Sequence, residues 1–247
     1  MAAAIIGVSS LQSRYVQAQE STRPSLAGSL YEESRKPQTD VQAYNLKLGP
    51  VAVSTSAGLD VEFDDNVALS QNHRQSDLIF EPHLGANVYW TISPFNSLRV
   101  DLALGYRKYL DHSQYDTSGL TVAPNSQLAF DVYMGNFRFT FFDRFSLQQD
   151  PASEINLSSV ANFERLENSA GLSVTWDLNK IILFGTYTHY NYETLSSQFN
   201  FLNRSEEQLN LSAAFILNEN VTTGFRASAA SVNYDENIQN GGFVGSV

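Results

Sequence analysis

The sequence predicts an all-β fold built as an antiparallel up-and-down sheet, and three observations predict it. From about residue 51 onward, apolar and polar residues alternate in long runs. A period of two gives a strand one oily and one wet face. The connections between runs alternate in length. Short ones lie near Thr91–Ser97, Gly135–Asn136, Asn179–Lys180 and Asn218–Asn220. Long polar ones lie near Asp64–Asp77, Asp111–Asn125, Ser146–Asn168, Glu193–Glu207 and Ser231–Gly242. Tight turns on one rim and long loops on the other are the pattern of a transmembrane β-barrel of the bacterial outer membrane.

The N-terminus is expected to precede this fold. Ala2–Val8 is apolar, and Val16-Gln17-Ala18 offers the small residues a signal peptidase accepts. Residues 1–18 therefore read as a signal peptide. The usual basic start is missing, and Gln12, Ser13 and Arg14 interrupt the apolar stretch. Residues 19–41 carry Ser, Pro and mixed charge without sustained periodicity, and read as a flexible periplasmic leader. The barrel is expected over 42–247.

Tyr44, Leu46 and Leu48 alternate with Asn45 and Lys47, and Gly49-Pro50 then demands a turn or bulge. Val51, Val53, Thr55, Ala57, Leu59, Val61 and Phe63 share one face. Leu78, Phe80, Pro82, Leu84, Ala86, Val88 and Trp90 follow, then Leu98, Val100, Leu102, Leu104 and Tyr106. Gly135-Asn136 suits a two-residue hairpin turn. Counting outward from it predicts Met134 opposite Phe137, Val132 opposite Phe139 and Phe130 opposite Phe141. On the other face Tyr133 meets Arg138, Asp131 meets Thr140 and Gln127 meets Arg144. A slip of one residue scrambles this pairing.

Ala170 to Leu178, Leu209 to Leu217 and Val221 to Ala229 alternate in the same way, while Ile181–Tyr192 carries apolar residues on both faces. About ten long strands are thus expected. Phe243–Val247 begins another, and the chain stops within it. Barrels of this type usually end on a strand with a terminal aromatic, so the reading is of a C-terminally truncated barrel lacking at least one strand. Trp90, Phe137 and Trp176 lie at the short-turn ends, where amphipathic rings favour a membrane interface. Capping of a soluble core is the alternative.

The segments YNLKLGPVAV, LDVEFDDNV, LRVDLALGYRKYLDHSQYD and LAFDVYMGNFRFTFFDRFS resemble porin-like outer-membrane β-barrel proteins of Gram-negative bacteria. The resemblance covers most of residues 44–247 and rests on sheet and turn residues. It implies an outer-membrane barrel, associated in some members with solute passage or envelope polysaccharide export. It brings no catalytic set.

In a barrel the wet face points inward. That face carries Asp60, Glu62, Glu81, Arg99, Asp101, Arg107, Asp131, Arg138 and Arg144, the candidate lumen-lining residues. As pore lining they would bias which solutes enter. As structural residues they would pair across strands and fill a narrow lumen.

Composition narrows the remaining classes. The net charge of -11 argues against nucleic-acid binding, which usually brings a basic patch. No cysteine is present, so no disulfide or thiolate metal site holds the fold. No apolar run approaches the roughly 20 residues of a membrane-spanning helix. His73, His83, His112 and His189 show no metal-ligand spacing. His189 with Ser196 or Ser197 is the nearest approach to a nucleophile and base, and nothing local supports it. Asp64-Asp65-Asn66 recurs in form as Asp235-Glu236-Asn237, which fits a calcium loop or simple loop initiation.

The chain is therefore expected to be non-enzymatic, without cofactor or metal. Expected partners are outer-membrane lipid, the outer-membrane assembly machinery and a small solute or polysaccharide. The leading expectation is a channel with a charged lumen. The rivals are a non-transporting barrel whose loops bind partners or surface polysaccharide, and a soluble secreted carbohydrate-binding β-sandwich.

Overall fold

The computed structural model describes residues 44–68, 73–149, 163–218, 221–236 and 242–246. The expected signal peptide and leader lie outside the described residues. Thirteen strands form one antiparallel sheet: β1 Leu46–Leu48, β2 Val51–Asp64, β3 Asp77–Ser93, β4 Asn96–Gly105, β5 Lys108–Tyr109, β6 Thr121–Val122, β7 Gln127–Met134, β8 Phe137–Gln148, β9 Arg165–Asp177, β10 Ile181–Thr194, β11 Arg204–Asn218, β12 Val221–Tyr234 and β13 Gly242–Ser246. Spatial order follows chain order, so the sheet is up-and-down. Among the described residues, the edge strands β1 and β13 form no ladder with each other.

Two short strands, β5 just before a predicted loop and β6 within it, carry too few residues to show periodicity. β5 resumes the line of β4 and pairs Tyr109 with Ile79, while β6 lies beyond β7 and pairs Val122 with both Leu104 and Leu147. Each pair is one long strand broken by an irregularity. At the first break Arg107 N–H donates to Thr117 Oγ1 (3.1 Å); at the second Ala103 N–H donates to Ser126 Oγ (3.1 Å). Side chains thus replace missing ladder bonds, as buried backbone donors require.

The turns carry their expected chemistry. Gly49 (φ 60°), Gly135 (φ 58°) and Asn179 (φ 74°) adopt the left-handed backbone of tight hairpins. The predicted hairpin register is the observed one: all six pairs counted from Gly135-Asn136 are cross-strand partners.

The two faces of the sheet are inverted relative to a soluble protein. Apolar side chains share one face from β2 to β12, through pairs such as Val53–Val88, Val100–Leu128, Phe141–Leu172 and Leu211–Ala227. This face is open: Leu84 is 60% exposed and Phe225 63%. The opposite face carries the charges and holds most of the buried strand residues, Asp131 and Arg165 among them at 4% exposed each. At the short-turn end of the apolar face, Phe137 stacks on Trp176 at 5.0 Å between ring centroids.

The mixed pattern of β10 has a structural cause. Tyr190 and Tyr192 are on the polar face, where they pack with Phe163, Phe199 and Leu202. Leu183 and Tyr187 lie on the apolar face with Trp176, Leu172 and Leu209.

Candidate functional site

Strand alternation fixes which side chains meet on the polar face. The register puts Asp60, Glu62, Glu81, Arg99, Asp101, Asp131, Arg138 and Arg144 on it together, and Arg107 reaches it from the break after β4. Most are engaged with one another. Arg107 donates twice to Glu81 Oε2, from Nη2 at 2.9 Å and Nε at 3.2 Å. Arg138 Nε donates to Asp131 Oδ1 at 3.1 Å. Gln127 bridges its neighbours, donating to Asp101 (2.8 Å) and accepting from Arg144 (3.2 Å). Glu62 is exposed opposite Ile79.

Charge is unevenly spread along this face. β2 and β3 contain no Lys or Arg, yet carry Asp60, Glu62, Asp64, Asp77 and Glu81. The arginines begin at β4. Over β2–β4 the polar face hollows into a cleft of about 620 Å³, lined in part by Asp60, Asp64, Glu81, His83, Asn87 and Arg107.

The long-loop end of the polar face is covered by loops that fold back onto it. Asp77, 2% exposed, is the anchor of one of them. Its carboxylate accepts from four backbone N–H groups, those of Leu78, Leu110, Asp111 and His112, and lies 2.9 Å from His112 Nδ1. Burial opposes its ionisation, but the bonds from Asp111, His112 and Leu78 prevail and bring its pKa down to about 2. Tyr115 in the same loop packs over Val67, Ile79 and Tyr109. A second loop, the 3-10 segment Ser197–Leu202, places Phe199 edge-on to Phe163 at 5.1 Å. Hydrogen bonds lace the two regions: Gln149 donates to Asp116 O, and Ser118 bonds both Gln149 and Glu164.

Residues that the sequence reading passed over complete this face. Arg165 bonds Glu167 (2.7 Å) and Gln148 (2.8 Å), and Arg204 bonds Glu206 (2.9 Å). Both are Arg-x-Glu pairs opening a strand, one pleat apart on one face. Arg204 also sits 4.3 Å over the Tyr192 ring, and Tyr190 donates to Glu167 at 3.0 Å. Both pairs sit in stretches whose polar composition reads as loop, and the repeated Arg-x-Glu spacing is the sequence signal that marks them.

Among the described residues the catalytic and metal candidates are not assembled, and Asn237 of the second acidic loop lies outside them. His189 lies on the apolar face, 2.7 Å from Glu207, whereas the Ser197–Leu202 segment packs against the other face. His83 lies 3.3 Å from Asp60. Asp64 Oδ1 accepts from Asn66 N–H at 2.8 Å, a loop-initiating turn. Among the described residues no three His, Asp or Glu side chains are placed to share a metal ion, and no helix is long and apolar enough to cross a membrane. No protein-family model matches the chain, and no curated protein is similar to it in sequence.

Proposed function

We propose that this chain is an outer-membrane β-barrel that works as a porin-like or export-associated channel, selecting solutes by the charges of its lumen. One observation carries the reading: the apolar face of a continuous sheet is exposed while most of the buried strand residues lie on its charged face. In water that arrangement leaves a large apolar surface uncovered. In a bilayer it is the stable one, and the sheet must then close, because hydrocarbon offers an edge strand no hydrogen bonds.

Dimensions support the reading. β2, β10 and β12 each run 14 residues, more than the roughly 9–11 a tilted spanning strand needs. Trp90, Phe137 and Trp176 then fall at the short-turn boundary, and Asp77 and the laced loops lie beyond the opposite boundary. A β-sandwich requires a second sheet over the apolar face, whereas all strands among the described residues belong to one sheet.

A second reading has its own support. The loops over the polar face, with Tyr115 and Phe199 packed inward, suit a barrel closed at the loop end that binds partners through those loops. Planar-bilayer conductance separates the two. The channel reading expects steady ohmic steps from the purified chain; a silent bilayer, with the protein shown to be inserted by heat-modifiable gel migration, overturns it. Solubility of the folded chain without detergent overturns the membrane reading itself.

A further inference from the structure

The cleft over β2–β4 owes its depth to glycine. Gly58 and His83 are cross-strand partners, and a Cβ at Gly58 would lie 2.3 Å from His83 Nε2. The imidazole therefore lies across the bare α-carbon of Gly58, with Nδ1 turned to Asp60 at 3.3 Å. Gly85 does the same for Ser56, whose hydroxyl would be 2.5 Å from an added Cβ. The floor is flat where side chains would otherwise fill it.

Its charge is one-sided. Asp60, Asp64 and Glu81 line the cleft against a single guanidinium, Arg107, and that group is committed to Glu81. Asp64 serves its own loop through Asn66. Asp60 is different: it lines the cleft with a side chain that is 74% solvent-exposed, and His83 Nδ1 lies 3.3 Å away. A concave polar wall of one sign concentrates counter-ions, and a volume of about 620 Å³ suits a small organic molecule. The amide oxygen of Asn87, on the same face, adds an acceptor for N–H donors.

We propose that this cleft is a binding station for a small organic ammonium ion, with Asp60 as its counter-charge. The proposal names a solute class for the channel and takes from the channel reading only the cleft's place inside a barrel. Asp60 attracts the ammonium group, Asn87 and the cleft hydroxyls take its remaining protons, and the flat floor admits its carbon chain.

Isothermal titration of the full chain in detergent micelles tests this, with putrescine as the cationic probe and glucose and gluconate as neutral and anionic ones. Saturable putrescine binding is expected, with neither comparator binding. D60N should weaken it about tenfold, and D60K should abolish it. D143N, a carboxylate removed from the apolar face, should leave it unchanged. Circular dichroism of each variant establishes that the sheet is intact. Absence of putrescine binding, equal binding by D60N, or an equal loss in D143N overturns the proposal. Conductance without putrescine binding defeats this inference alone; binding without conductance defeats the channel reading and leaves the station standing.

Discussion

Asp60 and Glu81 are direct cross-strand partners in the β2–β3 ladder, two carboxylates at opposed positions on one face. Like charges so placed destabilise a sheet. Arg107 relieves the conflict at Glu81, and His83 Nδ1 lies 3.3 Å from Asp60. Arg107 is therefore a compensating charge: R107M should cost about 1 kcal/mol, the size kept small because both partners are about one-third exposed and screened. E81Q in the R107M background should recover part of the loss. Thermal unfolding of the four variants in micelles gives the coupling; additive effects would deny the compensation.

The inversion of faces makes neighbouring residues respond in opposite ways. Val88 lies on the apolar face between Val53 and Val100; Asn87 lies on the polar face between Ser54 and Asp101. On the proposed barrel reading, V88R places a guanidinium in hydrocarbon and should cost about 2–4 kcal/mol. N87R sets the same group beside Asp101 and should cost little. Folding titrations into lipid vesicles measure both, and a reversed order would refute the assignment of faces.

Asp77 gives the loop end a defined response to acid. Its pKa in the folded protein, about 2, lies below the ordinary carboxylate value. A depressed carboxylate contributes stability that is complete above the unfolded value of about 4 and lost as pH falls through the folded one. The gap in unfolding temperature between the wild type and D77N should hold steady from neutral pH to about pH 4 and then narrow toward pH 2. In D77A the N–H groups of Asp111 and His112 lose their acceptor, and the loss should reach about 3 kcal/mol at neutral pH. A gap that does not change with acid would show that the carboxylate charge is not what holds this loop.

Alternation was legible wherever a strand was long and its two faces met different surroundings. The Gly135-Asn136 hairpin could be paired residue by residue because every one-residue slip would set apolar against polar side chains. β5 and β6 escaped because two residues carry no period, and their pairing rests on Thr117 and Ser126, whose bonds span about ten and more than twenty positions. β10 was ambiguous because Tyr190 and Tyr192 serve a loop cluster on the polar face, and apolar residues there mimic the pattern of the exposed apolar face. The candidate charges were readable as a set, since strand parity alone assigns a face. The cleft was not, because its depth comes from Gly58 lying under His83, a cross-strand contact between segments separated by a long loop.

The second loop cluster can be loosened without breaking the sheet. Phe199 is 7% exposed and packs on Phe163 and Tyr192, yet its own segment is a short 3-10 turn outside the ladders. Truncating such a ring costs about 3–5 kcal/mol at a buried site, but here the loss falls on the loop, whose ordering depends on few other apolar contacts. F199A should therefore speed proteolytic cleavage within residues 195–203 by well over tenfold while shifting the global unfolding temperature by only a few degrees. The β10–β11 pairing, twelve residue pairs long, supports the strands on either side independently of the ring. If F199A lowers sheet and loop stability together, the loop is not a separate unit and cannot open over a folded sheet.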